Sequence, residues 1–145
     1  MGFFSKTCEY AIRAIFYISK RSEQGHRCGI KEIAKNINSP EHFLGKILQK
    51  LSKEDLVASA KGPNGGFYLE NSHLNRPLAD IVLAFEGEQL FNGCAMGLTY
   101  CSEKAPCPLH NDFKEIRNQL TMMLKKTTIG QFNEELITGH FTLNK

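Results

Sequence analysis

Residues 93–110, GCAMGLTYCSEKAPCPLH, hold three of the chain's five cysteines. Cys94, Cys101 and Cys107 are spaced C-x6-C-x5-C, and His110 follows after two further residues. Thiolate sulfur is a soft donor, so this set favours an iron–sulfur cluster or zinc. The stretch also has two glycines, two prolines and no long apolar run, which argues against core cysteines. A structural zinc site usually contains a C-x2–4-C pair that closes tightly around one ion. Neither interval here is so short, and wide spacing suits a larger centre approached from several directions. Zinc stays the alternative, and metal-free redox thiols are a third reading. Cys8 and Cys28 lie outside the stretch and read as ordinary, partly buried thiols. His26, His42, His73 and His140 show no ligand spacing.

The chain has 145 residues, enough for one compact domain with an appendage. It is 41% hydrophobic and 23% charged, an ordinary soluble composition. The early apolar run AIFYI (14–18) is too short to cross a bilayer, and Lys6, Glu9 and Arg13 interrupt any signal peptide. A cytoplasmic protein with no membrane partner is expected, with cysteines as thiols or ligands rather than disulfides. Charge is unevenly spread. Residues 1–61 carry eleven Lys/Arg against six Asp/Glu, and residues 62–145 carry seven against nine. The N-terminal part is the one suited to a polyanion.

The elements that must position these groups follow from periodicity. Ser5 predicts an N-cap for a helix from about Lys6 to Ser22, with Ala11, Ile12, Ala14, Ile15 and Ile18 on its buried stripe. HRCGI (26–30) reads as a short extended piece. Ile30, Ile33, Ala34 and Ile37 form one face of a second helix, which breaks at Asn38. Ser39 then predicts an N-cap and Pro40 a first helical residue. In this third helix Phe43, Leu44, Ile47, Leu48 and Leu51 line one side. LVASA (56–60) and FYL (67–69) read as strands joined by KGPNGG, with Asn64-Gly65 as the hairpin turn at positive φ. Three helices followed by a hairpin is the order of a winged helix-turn-helix; the two short helices alone would fit any small three-helix core. A further helix is expected from about Pro77 to Phe85. After the cysteine stretch, Leu109, Phe113, Ile116, Leu120, Met123 and Leu124 form a long apolar seam. The small domain does not obviously cover a helix of about 18 residues, roughly 27 Å, so a second copy is expected on it, the alternative being packing on its own domain. The tail after Gly130 looks less regular.

Four stretches, SKTCEYAIRA (5–14), HFLGKILQKL (42–51), KGPNGGFYL (61–69) and the spaced cysteines, together resemble the IscR/NsrR-type (Rrf-two) bacterial transcription regulators. The similarity spans nearly the whole chain. It implies a mainly α fold with a small β-hairpin wing: a winged helix-turn-helix domain (1–75), a connecting helix (76–92), a cluster-binding loop (93–110), and a dimerisation helix and tail (111–145). It implies a homodimer bound to double-stranded DNA at a pseudo-palindromic operator. It also implies an iron–sulfur cluster on Cys94, Cys101 and Cys107, 2Fe-2S favoured and 4Fe-4S the alternative. The family usually has five residues in the first cysteine interval, where this chain has six. His110 matches the histidine that some members use as fourth ligand. Other members use an acidic residue of the first helix supplied by the partner, and Glu9 stands at that place.

A winged dimer sets one recognition helix per subunit in successive major grooves. Ser39, a candidate DNA contact, begins that helix, and Glu41, His42, Gly45 and Lys46 in its first turns are nearest base edges, with Lys46 suited to guanine acceptors. Gln49, Lys50 and Lys61 suit phosphates, and Asn64 and Lys61 at the wing tip suit the sugar-phosphate backbone. No Walker A lysine, G-x-S-x-G or paired-carboxylate signature supports an enzyme. The expected function is a dimeric DNA-binding transcriptional regulator whose operator affinity depends on the cluster, sensing iron, redox state or nitric oxide. The alternative is a metal-free repressor of the same family, regulated through thiols or a partner.

Overall fold

A computed structural model describes residues 2–139; Met1 and residues 140–145, including His140 and the end of the expected tail, lie outside the described residues. The described chain is mainly helical with one two-stranded antiparallel hairpin. Helix α1 (Lys6–Glu23) starts where the Ser5 hydroxyl accepts the Cys8 amide. Its stripe of Ala11, Ala14, Ile15 and Ile18 is buried, while Ile12 is half-buried. Helix α2 (Ile30–Ile37) stops at Asn38, whose φ of 55° is left-handed and turns the chain sharply. Asparagine tolerates this conformation better than most residues. Helix α3 (Glu41–Lys53) buries Leu44, Ile47, Leu48 and Leu51 against α1 and α2.

The start of α3 differs from expectation. Pro40 has an extended ψ of 134° and is itself the cap position. The Ser39 hydroxyl bonds to the Pro40 carbonyl rather than to a first-turn amide. Ser39 is therefore not the cap: with Pro40 at ψ 134°, helical backbone begins only at Glu41.

Strands β1 (Ala58–Ala60) and β2 (Gly66–Tyr68) pair as Ala58↔Tyr68, Ser59↔Phe67 and Ala60↔Gly66. The wing turn also differs from expectation. The Gly65 amide donates to the Gly62 carbonyl at 2.9 Å, so Pro63 and Asn64 take the corners. Positive φ falls at Gly62 and Gly66 rather than at Asn64 and Gly65. Proline's fixed φ pre-sets the first corner of such a turn and outcompetes the Asn-Gly alternative. On the other side of β2, Cys28 and Phe67 exchange two backbone hydrogen bonds at 2.9 and 2.7 Å. A Cβ at Gly66 would lie 2.7 Å from the Cys28 carbonyl oxygen, and its φ is +140°, so this close approach requires glycine.

The remaining helices are α4 (Asn71–Leu74), α5 (Leu78–Glu86), α6 (Gln89–Asn92), α7 (His110–Lys126) and α8 (Ile129–Thr138). Arg76 ties α5 to the end of α3: its guanidinium donates to the Glu54 and Asp55 carbonyls at 2.8 and 2.7 Å and to Asp80 at 2.8 Å. Helix α8 corrects the irregular tail expected after Gly130. Thr128 and Gln131 form a capping box at its start. Ile129 is fully buried, and Phe132 stacks on Phe16 with centroids 4.3 Å apart. The segment returns to the winged domain because Ile129, Phe132 and Leu136 form an apolar face that α1 covers.

Candidate metal centre and nucleic-acid interface

The cysteine loop runs from the end of α6 to the start of α7. Its first residue is anchored from outside, since the Arg117 guanidinium donates to the Gly93 carbonyl. Local turns bend the rest: Gly97 N–H to Cys94 O at 2.9 Å, and His110 N–H to Cys107 O at 3.0 Å. The result is convergence, with the Sγ atoms of Cys94, Cys101 and Cys107 all within 4.8 Å of one another. His110, the first residue of α7 rather than the last of the loop, puts Nδ1 3.2 Å from Cys101 Sγ. Its Nε2 is buried without a hydrogen bond, 3.5 Å from a Glu103 carboxylate oxygen. Glu103 also accepts from Lys114. Those two partners, Lys114 foremost, hold Glu103 below the usual carboxylate range.

The sulfurs are not equivalent. A hydrogen bond from the Leu98 amide, helped by the Met96 amide and the thiols of Cys101 and Cys107, holds Cys94 below the ordinary thiol range despite burial. The Cys107 amide, 3.3 Å from Cys101 Sγ, acts to lower Cys101 as well, but burial and the two neighbouring thiols push it up. The loop therefore holds Cys94 towards the thiolate and Cys101 away from it. Three soft sulfurs meeting at one half-exposed spot, beside an imidazole nitrogen, fit a thiophilic metal centre. This donor set accommodates the iron–sulfur group that the sequence resemblance implies.

Glu9 lies on α1, 15% exposed, with Lys6 and Arg13 nitrogens each 4.0 Å from its carboxylate. Cys8 is buried, and burial, then the Glu86 carboxylate, push its thiol up to about 12. Cys28 is likewise buried, and burial, then Glu32, push it up to about 11. Neither belongs to the loop cluster.

Of the expected DNA-contacting residues, Glu41, His42, Lys46, Gln49 and Lys50 are exposed on the side of α3 opposite its buried leucines. Gly45 and Ser39 are half-buried. Lys50 leans over the Phe85 ring on α5, 5.4 Å from its centroid. Lys61 and Asn64 are exposed at the wing tip. Sequence reasoning passed over Arg27, whose guanidinium stacks on Tyr68 of β2 at 4.8 Å. It also passed over a second ligand group: His26, Cys28 and Glu32 bring ligand atoms within 4.8 Å of one another, which corrects the view that His26 has no ligand spacing. An H-x-C-x3-E pattern was the available signal, legible only once the link between α1 and α2 sets His26 and Cys28 beside residue 32 on the first turn of α2.

The expected seam on α7 divides. Ile116 and Met123 are 59% and 55% exposed, Leu109 is exposed, and Phe113 and Leu120 are half-buried. Leu124 departs from the seam: it is buried at 4% against Cys8, Ala79 and Val82 of its own chain. The helix period carries position 124 round to the α5 side, so it serves the intramolecular core.

The profile of the Rrf2 family, described as an iron-dependent transcriptional regulator, matches residues 4–135. The chain belongs to the Rrf2 family of transcriptional regulators. A protein of Aquifex aeolicus (strain VF5), provisionally named an HTH-type transcriptional regulator, is 34% identical over 128 residues, which is 87% of this chain and 88% of that protein. Among solved structures, T. potens IscR is similar with a TM-score of 0.74 at 18% identity, covering 95% of this chain and 90% of that one. CymR, described as the global cysteine regulator of B. subtilis, gives a TM-score of 0.72 at 23% identity, covering 92% and 98%. These two likenesses show that the Rrf2 winged-helix fold is shared. Among the described residues, no helix is long and apolar enough to cross a membrane.

Proposed function

We propose that this Rrf2-family regulator binds operator DNA as a homodimer and that an iron–sulfur cluster in the 93–110 loop sets its affinity. The observation that carries this reading is the meeting of Cys94, Cys101 and Cys107 sulfurs within 4.8 Å, with His110 Nδ1 3.2 Å from Cys101. His110 is the fourth donor in this reading, and Glu9 of the partner subunit is the alternative. When bound, such a cluster supplies a centre whose oxidation state and integrity respond to iron, oxidants and nitric oxide, with 2Fe-2S favoured over 4Fe-4S.

The chain's own residues supply the rest. Cys94, whose thiol is held below the ordinary range, begins the donor set. Arg117 and the start of α7 hold the two ends of the loop, so ligand demand at the sulfurs bears on the position of α7. Ile116 and Met123, with Leu109, Phe113 and Leu120, form the contact between two copies. Lys46, with Glu41 and His42, reads base edges, while Gln49, Lys50, Lys61 and Asn64 hold the backbone. Operator affinity then changes only by as much as the loaded and unloaded forms differ in the arrangement of the two heads.

The test is anaerobic purification with visible spectroscopy, iron and sulfide counting, and operator titration of loaded and cluster-free protein. Visible absorbance should disappear when Cys94, Cys101 or Cys107 becomes serine, and loaded and cluster-free forms should differ in affinity by about 5–150-fold. Colourless, iron-free protein or equal affinities would reject the reading. A metal-free thiol switch is the second reading, favoured by the lowered Cys94 thiol beside two neighbouring thiols. It predicts protein without iron or sulfide whose DNA affinity falls or rises on mild oxidation.

A further inference from the structure

We propose that His26, Cys28 and Glu32 form a second metal site, inside the reading head, for zinc or a similar thiophilic divalent cation. Their ligand atoms lie within 4.8 Å of one another, and His26 Nε2 is 3.0 Å from Glu32 Oε2. Around a tetrahedral zinc, bonds of about 2.0–2.3 Å place neighbouring ligand atoms roughly 3.3–3.8 Å apart, so closure needs only small side-chain adjustment. The backbone sets this geometry. Cys28 pairs with Phe67 in a β-bridge, the His26 amide two residues earlier bonds to the Arg21 carbonyl at the end of α1, and the first turn of α2 presents Glu32 to both side chains.

The surroundings match a metal site more closely than a chance contact. The Tyr17 hydroxyl donates to the second Glu32 oxygen at 2.8 Å, the kind of outer hydrogen bond that orients a ligating carboxylate. Arg21 Nε lies 3.5 Å from that same oxygen. Its charge is compatible with an ion here, because a divalent cation with one thiolate and one carboxylate is neutral overall. Without the ion, Arg21 balances Glu32 and the Cys28 thiol keeps its proton. Cys28 is buried while the His26 side chain is 41% exposed, so the site is closed on the protein side and open to water as a fourth ligand. A mixed sulfur, nitrogen and carboxylate set selects zinc over magnesium or calcium.

Position gives the site a consequence. The Cys28 backbone is hydrogen-bonded to Phe67 of the wing, Glu32 belongs to the helix that precedes the recognition helix, and Tyr17 and Arg21 belong to α1. An ion here would fasten the wing to the helical core, independently of what the 93–110 loop carries.

Cobalt binding by the full-length chain with Cys94→Ser, Cys101→Ser and Cys107→Ser tests this, since the loop thiolates are then gone. Expected is uptake of about one Co2+ per chain, with a thiolate-to-cobalt charge-transfer band, tetrahedral d–d bands and displacement by zinc. Adding Cys28→Ser should abolish the charge-transfer band, and His26→Ala should weaken binding by roughly tenfold or more. No cobalt uptake by the folded triple variant overturns the proposal, as does a charge-transfer band that survives Cys28→Ser. Circular dichroism checks folding. Should the triple or Cys28 variant not fold, His26→Ala in the otherwise wild-type chain decides, because its position is half-exposed. Bound zinc should fall by about one per chain relative to wild type, and an unchanged zinc content overturns the site.

Discussion

Five cysteines in one chain occupy two kinds of surroundings, a half-exposed loop and the buried core. Amide donors hold the Cys94 thiol below its ordinary range, whereas Cys8 and Cys28 are enclosed beside the carboxylates of Glu86 and Glu32 and resist ionisation. With no ion at Cys28, the buried pair makes stability pH-dependent on the alkaline side. Their thiols rise from 9.0 in the unfolded chain to about 12 and about 11 when folded, so the folded state holds more protons between those values. Stability from this source is complete below pH 9.0, then falls as pH rises through 11 towards 12. Urea midpoints measured from pH 7.5 to 10.5 should fall less steeply for Cys8→Ala than for wild type; parallel slopes would contradict the assignment.

At the scale of elements, the helix-turn-helix core and wing depend on short segments meeting at demanding geometry. Asn38 makes the tight turn, Gly66 admits Cys28, and Arg76 fastens α5 to the end of α3. Helix α8 adds a clamp that its composition did not advertise. Phe132 stacks on Phe16, and Asn133, itself buried, donates to Glu23 at 3.2 Å. Truncating Phe132→Ala removes half of an aromatic pair and part of the apolar face over α1. A loss of about 2–4 kcal/mol in unfolding free energy is expected, read by urea denaturation at neutral pH. A loss below about 0.5 kcal/mol would mean that α8 contributes little to the domain.

At the scale of the whole molecule, charge and apolar surface are separated. Cations cluster in the part that carries α3 and the wing, while α7 presents Ile116 and Met123 to solvent. A dimer formed through α7 would set two α3 helices against one operator. Ile116→Glu should therefore shift wild-type dimer to monomer in sedimentation, and lower the slope of log affinity against log salt by about half, because one head contacts half the phosphates. A dimer that survives this substitution with an unaltered salt slope would exclude α7 as the contact.

Most of the architecture could be read from periodicity. Helical spacing marked α1 to α3, because burial on one face leaves a 3.6-residue signature. The three loop cysteines could be read as one candidate group, and the fold brings their sulfurs within 4.8 Å of one another. Short-range rules failed where two of them competed, as at Ser39-Pro40 and at Pro63-Asn64.

By itself, the sequence determined the order of elements, the uneven charge and the spacing of Cys94, Cys101, Cys107 and His110, all of which depend on residue type and local spacing. Tertiary structure alone decided that Leu124 turns inward, that α8 folds back on α1, and that His26, Cys28 and Glu32 meet beside the wing. Those outcomes depend on which surfaces lie opposite one another after the chain has packed, and local periodicity holds no record of that.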